Sequence, residues 1–196
     1  KNNPQKLNQE MAVLYKKDVL SPLETGNFWL SETPDQIASK SWDSSLPRIT
    51  TWALFHHRPT SRQFHFFNTH FDHRGATARE QSAALIAQRI RGLRESAPVI
   101  VAGDFNTAAE SSAPWKTLIE SGLRDAWQTA ANPAGPTGTF HGFRGAASEG
   151  DARIDWILYR GSFEVLSCET VTHNAEGRYP SDHYPVIAVF KWSASQ

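Results

Sequence analysis

The sequence predicts a fold of the α/β or α+β class, in which two β-sheets or one large mixed sheet carry helices on their outer faces. Two observations support this prediction. Short apolar runs rich in β-branched and aromatic residues recur along the chain, each bounded by Gly, Pro, Asn, Asp or Ser residues. Helical periodicity is confined to two segments, and few helices among many strands favour helices packed outside sheets.

Seven strands are predicted from these apolar runs. The run Val99–Ala102 is apolar at every position, which is typical of a strand that is buried on both faces. In chain order the predicted strands are Ala12–Tyr15, Ile49–Phe55, Gln63–Asn68, Val99–Ala102, Ile154–Tyr159, Phe163–Thr172 and Tyr184–Trp192.

Two helices are predicted. In the first, Thr77–Arg94, apolar residues recur at steps of three and four, so that they share one face. A second and shorter helix is predicted over Pro114–Ser121. The residues on the shared face of the first helix are Ala83, Ile86, Ile90 and Leu93.

Composition limits the function classes. The chain has 196 residues without a repeat or composition break, which predicts one domain over residues 1–196. Its 20 basic and 20 acidic residues cancel, which argues against a protein that coats nucleic acid by charge alone. The single Cys168 excludes an intrachain disulfide framework. We expect a soluble protein without a membrane span, and both the bacterial cytoplasm and export stay open.

Polar residues that bear chemistry follow or precede several predicted strands. His70 follows one strand, and Asp104 and Asn106 follow the buried strand, where α/β sheets commonly bind ligands. Asp155 lies inside an apolar strand and needs a partner such as an imidazolium, because burying an unpaired carboxylate is costly. Each residue also has a structural interpretation: a lone His is usually a hydrogen-bonding group, and Gly-Asp-x-Asn also forms an Asx turn.

Together these residues suit metal-assisted hydrolysis of a phosphoester. Asp104, Asn106 and Asp182 offer the oxygen atoms that Mg²⁺ or Mn²⁺ prefers. His70 and His183 can move protons near neutral pH. A serine hydrolase is less favoured, because the sequence has no Gly-x-Ser-x-Gly elbow.

The order of four motifs resembles the endonuclease/exonuclease/phosphatase superfamily, the deoxyribonuclease I-like phosphohydrolases. The resemblance extends from about Glu10 to Phe190 and implies a four-layer sandwich of two mixed β-sheets flanked by helices. It also implies a phosphodiesterase or nuclease that acts on DNA or RNA with Mg²⁺ or Mn²⁺, and Ca²⁺ as an alternative. A bacterial subgroup is indicated by further stretches, including Gly138–Phe140. The four motifs are His70, Gly103–Asn106, Ile154–Ile157 and Ser181–His183.

The resemblance also implies roles for single residues. Asp182 and Asp104 would hold the metal, and Asp104 and Asn106 would position water and phosphate. His183 would be the base or the histidine that contacts the phosphate, oriented by Asp155. His70 would stabilise the charge on phosphorus or assist the leaving group. Three further residues would line the same cleft and contact the phosphate or substrate: Arg48, Asp72 and His73.

Two family motifs are not found, namely a first strand ending in Asn and a Gln-Glu pair whose Glu binds metal. The register matches Glu10 with a later family acid that partners the histidine matched by His70. A shifted metal ligand and a surface Glu are the alternatives for this residue. We therefore expect the fold without its first strand–helix–strand segment, with an open sheet edge that favours a homodimer. The chain is then a piece of a longer protein, a shortened enzyme or an inactive binding module. A sphingomyelinase-like phosphodiesterase, which would need an exposed aromatic hairpin, is a further alternative.

Overall fold

The computed structural model describes residues 11–94, 96–145 and 151–193. They form an α+β fold with one six-stranded sheet and one two-stranded sheet. The elements, in chain order, are β1 (Leu20–Trp29), β2 (Ile49–His57), β3 (Arg62–His70), α1 (Ala76–Arg91), β4 (Val99–Asp104), α2 (Ala113–Glu120), β5 (Arg124–Asp125), α3 (Ala126–Thr129), β6 (Asp155–Arg160), β7 (Phe163–Thr170) and β8 (Val186–Trp192).

The six-stranded sheet is mixed. Its strand order is β1-β2-β3-β4-β6-β5. β3 and β4 are parallel, joined by a connection that contains α1, and the other neighbouring pairs are antiparallel. The small sheet pairs β7 with β8 in antiparallel register. The predicted α+β class with two sheets is therefore confirmed.

Two apolar clusters lie on either side of the large sheet. The first packs α1 and α2 against one face and includes Ile86, Val101 and Trp156. The second lies toward the small sheet and includes Tyr159 and Phe163. Within the described ranges, helices, large sheet and small sheet account for three of the four expected layers.

The small sheet is incompletely covered by the described part of the chain. Val186, Ala188 and Phe190 pack toward the second cluster, whereas Ile187 and Val189 alternate to the other side and are about half exposed. In the described ranges β8 pairs with β7 alone. The homodimer through an open edge stays a prediction.

Some predicted boundaries differ from the structure. The stretch Ala12–Tyr15 was predicted as a strand, but residues 11–16 have no regular secondary structure. Its apolar side chains line a groove of about 440 Å³ beside β8 instead of joining a ladder. Conversely, β1 was not predicted, because it is largely polar and contains Pro22, beside which its register with β2 shifts. α1 ends at Arg91 with Gly92 as its C-cap residue, whereas the sequence predicted a helix to Arg94.

Candidate active site

The pairing register of three strands places the predicted residues side by side. His70, the last residue of β3, pairs with Asp104, the last residue of β4. Asp104 in turn pairs with Asp155, the first residue of β6. A single line across the sheet edge therefore carries an imidazole and two carboxylates, which we call the His70–Asp104–Asp155 row.

A second histidine approaches this row from the loop before β8. The Nδ1 atom of His183 lies 2.8 Å from Oδ2 of Asp155, and its Nε2 atom lies 4.0 Å from Oδ2 of Asp104. The Nε2 atom of His70 lies 3.2 Å from the same Asp104 oxygen. The Asp104 carboxylate is thus flanked by both imidazoles, and all four side chains are partly buried.

The local environment shifts the pKa values of two of these groups, Asp104 and His183. Burial raises the pKa of Asp104, but the hydrogen bond and charge of His70, together with the backbone N–H of Asn106, outweigh burial and leave this pKa below its ordinary value. The hydrogen bond to Asp155 is the main cause that raises the pKa of His183, and it outweighs the opposing effect of burial. The site therefore favours an ionised Asp104 and a basic His183.

Asn106 closes the turn after β4. Its backbone N–H donates to Oδ1 of Asp104 at 2.8 Å, so the Asx turn considered from the sequence is present. Its side-chain amide donates to the carbonyl of Phe71 at 3.0 Å. Asn106 adopts φ 50°, a left-handed conformation that Asn tolerates better than most residues. The same turn leaves Asn106 in the lining of the cleft.

Arg48 and His73 line the cleft beside this row. The Nη2 atom of Arg48 donates to Nδ1 of His73 at 3.0 Å. Their predicted contact with phosphate stays a prediction.

The predicted substrate contact of Asp72 is corrected by the structure. Asp72 is 1% exposed, and its carboxylate accepts from the Ser45 hydroxyl and from the backbone N–H groups of Arg74 and Gly75. Burial raises its pKa, but these hydrogen bonds outweigh burial and hold the pKa far below the ordinary value. Asp72 therefore supports the loop beneath the cleft and lies 3.6 Å from Nε of Arg48.

Thr139 is a site residue to which sequence reasoning gave no role. Its fully buried hydroxyl accepts from the backbone N–H groups of Ile154 and Asp155, both at 3.1 Å. Its carbonyl accepts from the N–H of Tyr184 at 2.7 Å, the residue after His183. Thr139 therefore joins the two backbones that carry the Asp155–His183 pair. The stretch Gly138–Phe140 was the sequence signal.

The acidic residues can accommodate a cation. Ligand atoms of Asp104, Asp155 and His183 lie within 4.8 Å of one another. The two carboxylates suit Mg²⁺ or Mn²⁺, which prefer oxygen ligands and keep several waters, whereas an imidazole is a less typical ligand for these ions. Asp182 lines the same cleft but does not belong to this cluster, so its metal-binding role stays a prediction. Glu10, the expected partner of His70, lies outside the described residues.

These residues surround a cleft of about 910 Å³. Its floor is the His70–Asp104–Asp155 row, and its walls include polar and apolar side chains. The lining also includes Leu46, Arg48, His73, Asn106, Phe140, Asp182 and His183.

An α+β fold with paired carboxylates and imidazoles at one edge of a mixed sheet defines a hydrolase-type site. The chain belongs to the Endonuclease/Exonuclease/phosphatase family, whose sequence profile matches residues 3–183. Members of this family are hydrolases, and they generally depend on a divalent metal. The comparison with curated proteins finds no match.

Solved structures of similar chains agree with this assignment. A mannosyl-6-phosphatase of Bacteroides thetaiotaomicron is 36% identical with a TM-score of 0.81, and the match covers 91% of this chain and 69% of that one. A family member from Bacteroides vulgatus is 37% identical with a TM-score of 0.84 and the same coverages. The human Nocturnin catalytic domain is 20% identical with a TM-score of 0.68, covering 90% of this chain and 62% of that one, and shares the fold.

Helices in the described ranges are too short or too polar to cross a lipid bilayer.

Proposed function

We propose that this protein hydrolyses phosphoesters in the cleft above the His70–Asp104–Asp155 row. The observation that carries the proposal is the pairing register that places these three residues side by side, with His183 held against Asp155 at 2.8 Å. These side chains are placed so that they can activate a water molecule in the cleft and stabilise the charge that develops on the phosphoryl group.

His183 acts as the general base in this proposal. Because its Nδ1 atom faces Asp155, its Nε2 atom is left to accept a proton from water. The water oxygen then forms a bond to phosphorus while the ester P–O bond breaks. His70, on the other side of Asp104, hydrogen-bonds a phosphoryl oxygen or protonates the leaving oxygen.

A divalent cation fits this arrangement through Asp104, with Asp182 as the second predicted ligand. When bound, Mg²⁺ or Mn²⁺ supplies positive charge that neutralises the phosphate and acidifies water. Asp155 is engaged by His183, which favours Asp104 as the principal carboxylate ligand among the three clustered residues.

The first candidate substrate is the phosphomonoester of a small molecule. The mannosyl-6-phosphatase, at 36% identity, supports it, and so does a net charge of zero, since it offers no general attraction for nucleic acid.

The second candidate is a phosphodiester, including DNA or RNA, as the sequence predicted. The cleft of about 910 Å³ has room for such a substrate.

The test compares three substrates: a hexose 6-phosphate, bis-p-nitrophenyl phosphate and plasmid DNA, each with Mg²⁺, Mn²⁺ or a chelator. We expect turnover that requires the metal and falls by a factor of about 10² or more in His183→Ala. The matched control is His173→Ala, which removes an exposed histidine outside the cleft. Turnover that survives His183→Ala contradicts the proposal. Absence of turnover with all three substrates and both metals favours a binding module instead.

A further inference from the structure

The contact between Arg48 and His73 determines which ring nitrogen of His73 carries the proton. The Nη2 atom of Arg48 lies 3.0 Å from Nδ1 of His73. A guanidinium has N–H donors but no acceptor, so Nδ1 must accept this hydrogen bond. The proton of the neutral His73 ring therefore lies on Nε2, the nitrogen that is turned away from Arg48.

The hydroxyl of Ser45 does not change this assignment. Its oxygen lies 3.4 Å from the same Nδ1 atom, but its proton is donated to Oδ2 of Asp72 at 2.8 Å. A proton on Nδ1 of His73 would face the N–H groups of Arg48, so that one donor would meet another. The observed contacts therefore specify the form of His73 that is protonated at Nε2.

Arg48 is itself held in place. It is 3% exposed, and its Nε atom lies 3.6 Å from the buried carboxylate of Asp72. Burial lowers the pKa of Arg48, and the charges of Asp72 and Asp104 oppose this shift. The guanidinium thus lies within electrostatic reach of the His70–Asp104–Asp155 row, but its burial suits it to orienting His73 better than to capturing a substrate.

The loop that carries His73 is tied to the same row. The N–H of Phe71 donates to the carbonyl of Asp104 at 2.9 Å, and the side-chain amide of Asn106 donates to the carbonyl of Phe71 at 3.0 Å. His73 follows two residues later, is exposed and lines the cleft. Its Nε2–H group is therefore presented in a defined position relative to the row.

The chemistry of this donor favours an uncharged oxygen as its partner. A neutral imidazole N–H donates one hydrogen bond and supplies no net charge, whereas the oxygens of a phosphate are bound most strongly by charged donors and metal ions. The hydroxyl groups of sugars and polyols offer uncharged acceptor oxygens. A site that is built to hydrogen-bond a hydroxyl group also discriminates strongly against analogues that lack it.

We infer that the Nε2–H group of His73 donates a hydrogen bond to a hydroxyl oxygen of the organic group esterified to the phosphate, and that Arg48 is the positioning residue for this donor. The substrate class is then the phosphoester of a cyclic sugar or of an open-chain polyol, which share this chemistry. The inference rests on the proposed function and deepens it by naming the substrate class and the residue that recognises it.

The experiment uses two matched pairs of phosphoesters, in each of which the second member lacks the hydroxyl groups of the first. One pair is glycerol 1-phosphate and n-propyl phosphate, and the other is a hexose 6-phosphate and cyclohexylmethyl phosphate. His73→Phe keeps a ring and removes the N–H. We expect its kcat/KM to fall about tenfold for the hydroxylated member of at least one pair, the order expected of one hydrogen bond. The values for the hydroxyl-free members and inhibition by inorganic phosphate should stay unchanged. The pair that loses more distinguishes sugar from polyol.

Two further variants sharpen this comparison. His73→Gln places an amide N–H near the position of Nε2 and should recover part of the preference for the hydroxylated members. The matched control, His173→Gln, changes an exposed histidine outside the cleft and should leave the preference as in wild type. An equal loss on both members of each pair, with weaker inhibition by inorganic phosphate, overturns the inference in favour of a contact with the phosphate. An unchanged preference in His73→Phe also overturns it.

The positioning role of Arg48 has a readout that does not depend on turnover. The ¹⁵N NMR signals of a histidine ring distinguish its two neutral forms, and the signals of His73 are assigned by their absence in His73→Gln. Wild type should show His73 protonated at Nε2 alone, whereas Arg48→Met, which removes the N–H donors, should show a mixture of the two forms. Protonation at Nδ1 in wild type, or an unchanged spectrum in folded Arg48→Met, overturns the role of Arg48. If Arg48→Met does not fold, the wild-type spectrum decides this point.

A failure of the proposed function is separable from a failure of this inference. If wild-type protein turns over none of the four phosphoesters, calorimetric titration compares their affinities within each pair. Tighter binding of a hydroxylated member that His73→Phe abolishes supports the inference without catalysis. Equal affinities within both pairs, or no binding of any member, overturn it.

Discussion

The Nδ1 atom of His183 lies 2.8 Å from Oδ2 of Asp155, across a separation of 28 residues. This contact fixes the orientation of the imidazole and leaves its Nε2 atom toward the cleft. It is also the largest cause that raises the pKa of His183. The proton affinity of the proposed base therefore depends on a carboxylate at the start of β6, outside the loop that carries His183.

The acid limb of the pH–rate profile tests this dependence. Protonated His183 cannot accept a proton, so activity rises as pH passes upward through its pKa. Because that pKa is raised, the midpoint for kcat/KM is expected above the ordinary value of 6.5. Asp155→Asn should move the midpoint to lower pH and reduce the plateau by a factor of about 10² or more. An unchanged midpoint in Asp155→Asn would contradict the assignment of His183 as base.

The same contact has a linked effect on stability. A histidine whose pKa is raised by folding stabilises the protein below its unfolded pKa, and that contribution disappears as pH rises through the folded pKa. Denaturant unfolding of wild type and Asp155→Asn, compared at acid and alkaline pH, should therefore show a difference that is larger on the acid side.

The His70–Asp104–Asp155 row was predictable because each member lies at one end of a recognisable strand. The apolar runs before His70 and Asp104 and around Asp155 indicated strands, and the common edge of a sheet brings their ends together. Asp72 was misassigned, because the sequence does not reveal that backbone N–H groups of its own loop enclose the carboxylate. The role of Thr139 depends on contacts 15 and more residues away, which local patterns do not encode.

A buried ion pair supports the segment that leads into β6. Arg153 is 5% exposed, and its guanidinium contacts both oxygens of Asp125, at 3.2 and 2.8 Å. Asp125→Ala leaves the buried guanidinium with only the half-exposed Glu110 as a carboxylate partner and also removes the acceptor of the Trp115 indole N–H. It should therefore lower the free energy of unfolding by about 3–5 kcal/mol. Chemical denaturation measures this change.

The matched control changes the exposed partner of the same arginine. Glu110 contacts Arg153 at 3.3 Å, but its side chain is 55% exposed. Glu110→Gln should cost about 0–1 kcal/mol, since solvent screens such pairs. Similar losses in both variants would show that burial does not determine the contribution of the pair.

Gly103 permits the close approach of β3 and β4 beneath the site. A Cβ atom at this position would clash with the carbonyl oxygen of Thr69. Gly103→Ala should therefore destabilise the fold by about 3 kcal/mol or more, because the strands must separate. The control is Gly177→Ala, where φ is 76° and nothing lies within 4 Å of the added atom; conformational strain alone should cost about 1–2 kcal/mol. Equal losses of unfolding free energy in Gly103→Ala and Gly177→Ala would exclude the steric explanation.

Variants of Thr139 distinguish a residue that positions the Asp155–His183 pair from one that only stabilises the fold. Its hydroxyl accepts from the N–H of Asp155, and its carbonyl accepts from the N–H of Tyr184, so it sets the spacing between Asp155 and His183. Thr139→Val keeps the shape of the side chain but removes the hydroxyl that accepts from two buried N–H groups. The loss of this acceptor should lower the free energy of unfolding by about 1–3 kcal/mol. We expect kcat to fall about tenfold or more and the acid limb to shift to lower pH, as the contact that raises the pKa of His183 weakens. Thr139→Ser keeps the acceptor and should restore the acid limb even where stability is not fully recovered. If Thr139→Val loses stability while its pH profile stays that of wild type, Thr139 supports the fold and does not position the Asp155–His183 pair.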